Sequence, residues 1–159
     1  MERIMKYINR VYRASLLDRS EAFAEENLAG QQLSYILQIC RSPGLTQDEL
    51  SARLFVNKST VTRQVSQMIQ NGYIIRHCDP EDRRAKLLYP SEKAREIYPR
   101  IMEYLENWNE SLTGMLKPEE QDQLLYFLKH LASAASKTVC KNSKEKDAKA
   151  SKEQEAPYV

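Results

Sequence analysis

Two neighbouring helix-start signals constrain the fold of this chain more than any other feature. At the first, Thr46 can cap a helix while Glu49 bonds back to its backbone, which is the capping-box pattern. At the second, Asn57 precedes apolar residues that repeat at helical spacing. The two helices are predicted to run from Thr46 to about Leu54 and from Asn57 to Asn71. Two short helices joined by about three residues are typical of a helix-turn-helix.

The second of these helices has a polar outer face. When Val61, Val65, Met68 and Ile69 point inward, the helical period places polar side chains opposite them. Short hydroxyls suit phosphates and thymine methyl groups, whereas arginine and glutamine contact base edges in the major groove. The face predicts a DNA-recognition surface, and a merely solubilising face is the alternative interpretation. Its residues are Ser59, Arg63, Ser66, Gln67 and Gln70, with Thr60 and Thr62 beside them and Lys58 at the helix start.

A β-hairpin with a basic tip, called the wing, is predicted after this helix. Strand-forming residues begin at Tyr73, a polar turn covers residues 79–84, and a second strand covers residues 85–89 and is closed by Pro90. Arginine is favoured in narrow minor grooves, where the potential is most negative. The expected contact residues are Arg83 and Arg84, with Asp82 orienting the Arg84 guanidinium. A surface salt bridge of little energetic weight is the alternative.

Long helices are predicted on both sides of this region, so the chain is expected to be mainly α. One lies in residues 1–20, a second runs from a Ser91 cap to about Leu116, and a third opens at Pro118. The change to Lys, Glu, Ala and Ser predicts a disordered tail over residues 140–159. The apolar positions are Ile4, Ile8, Val11, Tyr12 and Leu16 in the first helix, a heptad seam of Ala94, Tyr98, Ile101, Leu105, Trp108, Leu112 and Met115 in the second, and inward-facing Leu124, Leu125, Leu128 and Leu131 in the third.

Composition and motifs exclude several functional classes. No apolar run approaches the ~18 residues of a membrane span, and no signal-peptide core is present, so a cytoplasmic protein without membrane contact is expected. Cys40, Cys78 and Cys140 do not form a disulfide framework, and His77 and His130 fit no metal-binding motif. No catalytic constellation or phosphate loop is present. We expect no metal, no cofactor and no enzymatic activity.

The residues from about Gln31 to Ser91 resemble the winged helix-turn-helix core of the MarR (multiple antibiotic resistance regulator) family. The resemblance rests on TQDELSARL and NKSTVTRQVSQMIQNGYIIRHCDPEDRRAKLLYP. The family's Asp-x-Arg wing signature corresponds to Asp82 and Arg84, whereas Pro90 and Ser91 stand where Leu-Thr is usual. The resemblance implies a winged helix-turn-helix domain over residues 1–139, with a DNA-binding core at about 31–91 and dimerisation helices at about 1–20 and 91–137.

The resemblance also implies a transcriptional regulator that binds a pseudo-palindromic operator in double-stranded DNA as a homodimer. Repression relieved by a small aromatic or phenolic effector is the expected mode. Two alternatives stay open: a redox-responsive regulator that senses through Cys78, and a protein-interaction winged helix that does not bind DNA. The side chains expected to line an effector cleft are Tyr12, Tyr35, Tyr98 and Trp108, although aromatics at helical spacing are also ordinary core residues.

Overall fold

The computed structural model of the protein describes residues 3–80 and 86–154, and it describes side chains as far as Val139. The chain divides into two compact units, residues 1–106 and 107–159. The helices are α1 (Ile4–Ala22), α2 (Gln32–Arg41), α3 (Gln47–Leu54), α4 (Lys58–Gln70), α5 (Glu92–Thr113) and α6 (Pro118–Gln154), and the strands are β1 (Leu45–Thr46), β2 (Ile74–Cys78) and β3 (Lys86–Pro90). The mainly α winged helix-turn-helix fold is confirmed.

The three strands form one antiparallel sheet in the order β1-β3-β2. The hairpin pairs Ile74 with Pro90 and Cys78 with Lys86, as the sequence predicts for the stem of a wing. Two features differ from the prediction. Leu45 pairs with Leu88, which makes the short β1 a third strand. Pro90 is the last residue of β3 rather than a closing residue outside it.

The core of the first unit forms where α2 and α4 meet the sheet. Leu33 and Ile36 on one stripe of α2, and Val65 and Met68 on the inner side of α4, are fully buried. Cys40 lies on the same stripe of α2 and is half-buried. This packing fixes the inner face of α4, so the orientation of its outer face is set by hydrophobic burial.

The flanking helices differ from the sequence expectations in their ends and in the exposure of their apolar residues. Helix α5 ends at Thr113 rather than near Leu116. In the predicted heptad seam, Ala94 and Ile101 are buried, whereas Met115, which lies beyond the end of α5, is exposed. Helix α6 continues to Gln154, which differs from the predicted disorder beginning at residue 140. Lys, Glu and Ala are good helix formers, so their high content is compatible with either state. The α6 leucines predicted to face inward are all exposed: Leu124, Leu125, Leu128 and Leu131.

The predicted apolar stripe of α1 is also largely uncovered. Ile4, Val11 and Tyr12 are exposed, whereas Ile8 and Leu16 are half-buried. Within residues 3–80 and 86–154, no helix is both long and apolar enough to cross a membrane. Helices α1 and α6 are therefore amphipathic, and within the described residues their apolar faces are largely exposed.

The capping box at the start of α3 is confirmed. The Glu49 N–H donates to Thr46 Oγ1 over 3.2 Å, and the Thr46 N–H donates to Glu49 Oε2 over 2.8 Å. These hydrogen bonds from Thr46 lower the pKa of the Glu49 carboxyl below its ordinary 4.5. The ionised form of Glu49 therefore stabilises the first helix of the helix-turn-helix.

We expect this carboxylate to make stability depend on pH. The pKa of Glu49 is lower in the folded state than its ordinary 4.5. Its contribution to the free energy of unfolding is therefore present at pH values above 4.5 and is lost as the pH falls through the folded-state pKa. Glu49→Gln retains a capping amide but cannot titrate. Urea unfolding between about pH 6 and about pH 3 should show wild type losing stability relative to Glu49→Gln at the acid end. Parallel curves for the two proteins would contradict the assignment.

Candidate nucleic-acid interface

The turn between α3 and α4 is held by local hydrogen bonds. Phe55 ends α3 in the left-handed conformation, with φ of 53°. Ser51 Oγ donates to the Val56 carbonyl over 2.6 Å, and the Val56 N–H donates to the Ser51 carbonyl over 3.2 Å. Asn57 then caps α4, because its Oδ1 accepts from the Thr60 N–H over 2.8 Å. These hydrogen bonds hold the turn of the predicted helix-turn-helix.

Helix α4 separates cleanly into a buried and an exposed face. Val61, Val65 and Met68 have no exposed surface, and Ile69 is half-buried. The predicted recognition residues lie on the other side. Those exposed are Lys58, Ser59, Thr62, Arg63, Gln67 and Gln70, and those half-buried are Thr60 and Ser66. The structure therefore brings all eight α4 positions together on one accessible surface.

Several of these side chains already have partners within the chain. Lys58 Nζ lies 2.9 Å from the Asp48 carboxylate, and both groups are well exposed. Ser59 Oγ donates to Asn57 Oδ1, and Thr62 Oγ1 is bonded to the Lys58 carbonyl, each over 2.9 Å. Among the described residues, the Arg63 guanidinium has no hydrogen-bond partner. Arg63 is thus the α4 cation best placed to bind an external anion or base.

A buried glutamine cluster behind α4 is a feature that sequence reasoning missed. Gln32, at the start of α2, has 0% exposure. Its Nε2 donates to Gln64 Oε1 over 2.9 Å and to Gln67 Oε1 over 3.2 Å. The position of Gln64 on the inner side of α4, next to Val61, Val65 and Met68, was the available signal.

The described part of the wing is basic, but its tip is not described. Asp82, Arg83 and Arg84 lie outside the described residues, so their predicted roles stay predictions. In the stem, Arg76 and Lys86 are exposed. Lys86 Nζ donates to the sulfur of the exposed Cys78 over 2.9 Å.

The four aromatic candidates for an effector cleft have different local surroundings. Tyr35 is buried, and burial raises the pKa of its phenol; nearby Tyr12 adds to the rise and Arg63 of α4 opposes it. Tyr98 instead lines a cavity of about 220 Å³ with Cys40 and Arg95.

The fourth candidate, Trp108, belongs to the second unit. Tyr35 therefore lies within electrostatic range of Tyr12 and of Arg63 in α4, whereas Tyr98 lines the cavity with Cys40 and Arg95. Within the residues described, no cluster of three or more His, Cys, Asp or Glu side chains is placed to hold a metal.

Comparison with known proteins agrees with this architecture. The chain is 25% identical over 142 residues to the HTH-type transcriptional regulator BilQ of Clostridium symbiosum, a match covering 88% of this chain and 98% of BilQ. A SlyA-like transcription regulator from Listeria monocytogenes superposes with a TM-score of 0.87 at 28% identity, covering 91% of this chain and 96% of that one. A MarR-family regulator from the same organism, complexed with 26mer DNA, gives a TM-score of 0.83 at 28% identity with the same coverage.

The family model that matches describes the MarR family and aligns with residues 26–85. Those residues contain α2, the helix-turn-helix and the first strand of the wing. The matched segment thus coincides with the surface assembled above, and over residues 26–85 the chain is similar to the MarR family.

Proposed function

We propose that this protein is a sequence-specific, double-stranded-DNA-binding repressor that acts as a homodimer. The observation that carries the proposal is α4: its apolar face is buried against the core, and its polar face is exposed next to a basic hairpin. A helix held in this way presents its outer side chains to the major groove, as the second helix of a helix-turn-helix does.

The charges of α4 favour DNA as the ligand. Its first turn contains no acidic residue, so the positive end of the helix dipole is available to phosphate groups. The Arg63 guanidinium, which has no hydrogen-bond partner within the part of the chain that the structure describes, can make two parallel hydrogen bonds to a guanine edge. A regulator of similar fold has been solved with 26mer DNA, which supports the same docking here. Arg83 and Arg84 are proposed to contact the minor groove from the wing.

We expect Arg63→Ala to cost about 1–3 kcal/mol of duplex affinity and to relax base preference, since Arg63 is assigned a base contact. Arg84→Ala should weaken binding while leaving the fold intact. Lys129→Ala removes the same charge from α6, outside the helix-turn-helix, and serves as the control. Fluorescence anisotropy with promoter-region duplexes over a range of salt concentrations measures each effect.

The salt dependence of affinity also distinguishes DNA binding from the alternative function, that of a protein-interaction winged helix. Affinity of the wild type for duplex should fall steeply with salt, because phosphate neutralisation releases counterions. A wild-type protein without salt-dependent duplex affinity would instead favour the protein-interaction winged helix. Equal effects of Arg63→Ala and Lys129→Ala would contradict the assignment of α4 as the reading helix.

The homodimer is proposed from the open apolar faces of α1 and α6. Exposed apolar side chains are concentrated along α6, where Leu128 is 42% and Phe127 59% exposed, and along α1, where Leu17 is 75% exposed. Contiguous exposed apolar surface on a water-soluble domain marks an interface. A two-fold pair places its recognition helices about one DNA turn apart, roughly 34–36 Å, which matches a pseudo-palindromic site.

Leu128→Asp should separate the dimer, because an unpaired charge buried in an interface costs several kcal/mol. We expect a dimer dissociation constant roughly tenfold higher or more, together with a loss of operator affinity. Gln123→Asp places the same charge on the opposite side of α6 and should leave assembly unchanged. Analytical ultracentrifugation measures both variants. A wild-type chain that sediments as a monomer would refute the dimer.

Release by a small aromatic or phenolic effector is the proposed mode of regulation. The proximity of the buried Tyr35 to Arg63 supports it, because a phenolate bound beside Tyr35 would attract this cation of α4. The contact of Lys86 with the exposed Cys78 favours a second input, since a neighbouring cation is typical of reactive cysteines. Peroxide would oxidise this thiol to a sulfenic acid, releasing water.

One release experiment distinguishes the two inputs. Phenol or benzoate should release wild-type protein from duplex, and Tyr35→Phe should weaken that response while leaving DNA affinity intact. Cys78→Ser should abolish release by peroxide and leave release by phenol unchanged. Anisotropy of a labelled duplex and mass spectrometry of the thiols measure the outcome. Identical peroxide responses in wild type and Cys78→Ser would eliminate Cys78 as a sensor.

A further inference from the structure

The Gln32 side chain is fixed in one orientation by its three hydrogen bonds. Its Oε1 accepts from the Ala29 N–H over 3.0 Å. A backbone N–H can only donate, so the oxygen of Gln32 must face Ala29 and its amino group must face α4. Gln32 is fully buried, and this arrangement satisfies its acceptor and both of its donors.

This orientation determines the orientation of Gln67 in turn. Both Gln32 donors are directed at α4, one to Gln64 and one to Gln67, so each of those side chains must offer its oxygen. Gln64 is buried, but Gln67 is exposed at the edge of the polar face of α4. With its oxygen turned toward the buried amide, Gln67 presents its Nε2 hydrogens to the outside.

A glutamine that turns only its amino group outward recognises a different base edge from a glutamine that is free to rotate. A free glutamine pairs bidentately with adenine, accepting from the N6 amino group and donating to N7. The Gln67 oxygen points inward with one lone pair already used by Gln32, so the group that faces outward is the Nε2 donor, which matches guanine O6 and N7 or thymine O4. The buried Gln32 would thus select the base without touching DNA.

We propose that Gln32 is a specificity-determining positioning residue that acts through Gln67. It holds the acceptor of Gln67 inside the protein, so that the base facing Gln67 is chosen for hydrogen-bond acceptors rather than for the adenine pattern. This proposal rests on the proposed binding of DNA by α4. It adds a residue of α2 to the reading machinery and states which base edges that machinery prefers.

Selection from a randomised duplex pool, followed by competition with single-base variants of the best site, tests the proposal. Wild type should prefer guanine or thymine over adenine at one position by about tenfold, and Gln67→Ala should flatten that position alone. Gln32→Met fills the buried site without a donor and should reduce the preference to about twofold or less. Gln32→Glu accepts where Gln32 donates, which turns Gln67 over and should shift the preference toward adenine or cytosine.

Combining variants separates this role from a general effect on folding. Gln32→Met should change nothing further in a Gln67→Ala background, yet keep its full effect in a Gln70→Ala background. Gln70 is the comparison, a second exposed glutamine of the α4 face: its removal can lower affinity, but it leaves the contact between Gln32 and Gln67 intact. Thermal unfolding monitored by circular dichroism establishes that each variant is folded. If Gln32→Glu does not fold, the Gln32→Met cycle carries the test.

Three results would overturn the proposal. One is a folded Gln32→Met protein with the wild-type base preference. Another is an equal loss of affinity for all duplexes in Gln67→Ala, which would indicate that Gln67 contacts a phosphate rather than a base. The third is the same effect of Gln32→Met with and without Gln67. Failure of the proposed function is seen separately, in wild type alone, as binding without sequence selection or no binding.

Discussion

The structure depends on the burial of one side of α4. Val61, Val65 and Met68 have no exposed surface, and they pack in the same core as α2 residues such as Leu33 and Ile36. Each fully buried aliphatic side chain contributes about 1.5–3 kcal/mol relative to an exposed one. Rotation of α4 about its axis would expose these residues and bury the polar ones. Hydrophobic burial therefore decides which side chains are available to DNA.

Local signals in the sequence predicted much of this architecture, and non-local pairings account for what was missed. The capping box of Thr46 and Glu49 and the Asn57 cap involve residues three apart, so helix starts were readable directly. Strand β1 has only two residues, and it exists because Leu45 meets Leu88 across the fold. No periodicity reports such a pairing, because two residues are too few to show alternation.

The candidate site divides in the same way. Helical geometry alone placed all eight α4 residues on one accessible surface, because a 3.6-residue period is independent of tertiary context. The contribution of Gln32 was not readable, since a glutamine at the start of a helix is ordinarily exposed and its partners lie on another helix. The α6 leucines were placed inward because apolar periodicity indicates burial without identifying what covers the surface, and in this chain they are exposed.

The hydrogen-bonding pattern of α4 has a polarity that follows from its internal contacts. Ser59 and Thr62 already direct their hydroxyl hydrogens to acceptors within the chain, so they face outward with lone pairs unless those bonds break. Among the described residues the Arg63 guanidinium has no hydrogen-bond partner, and the proposed orientation of Gln67 turns its donors outward. Toward its start the helix thus offers the hydroxyl acceptors of Ser59 and Thr62 beside the Lys58 ammonium, and from Arg63 onward it offers donors, which suit guanine or thymine edges. In the proposed complex with DNA, this order of hydroxyl acceptors and donors along α4 would bear on the direction in which the helix lies in the groove.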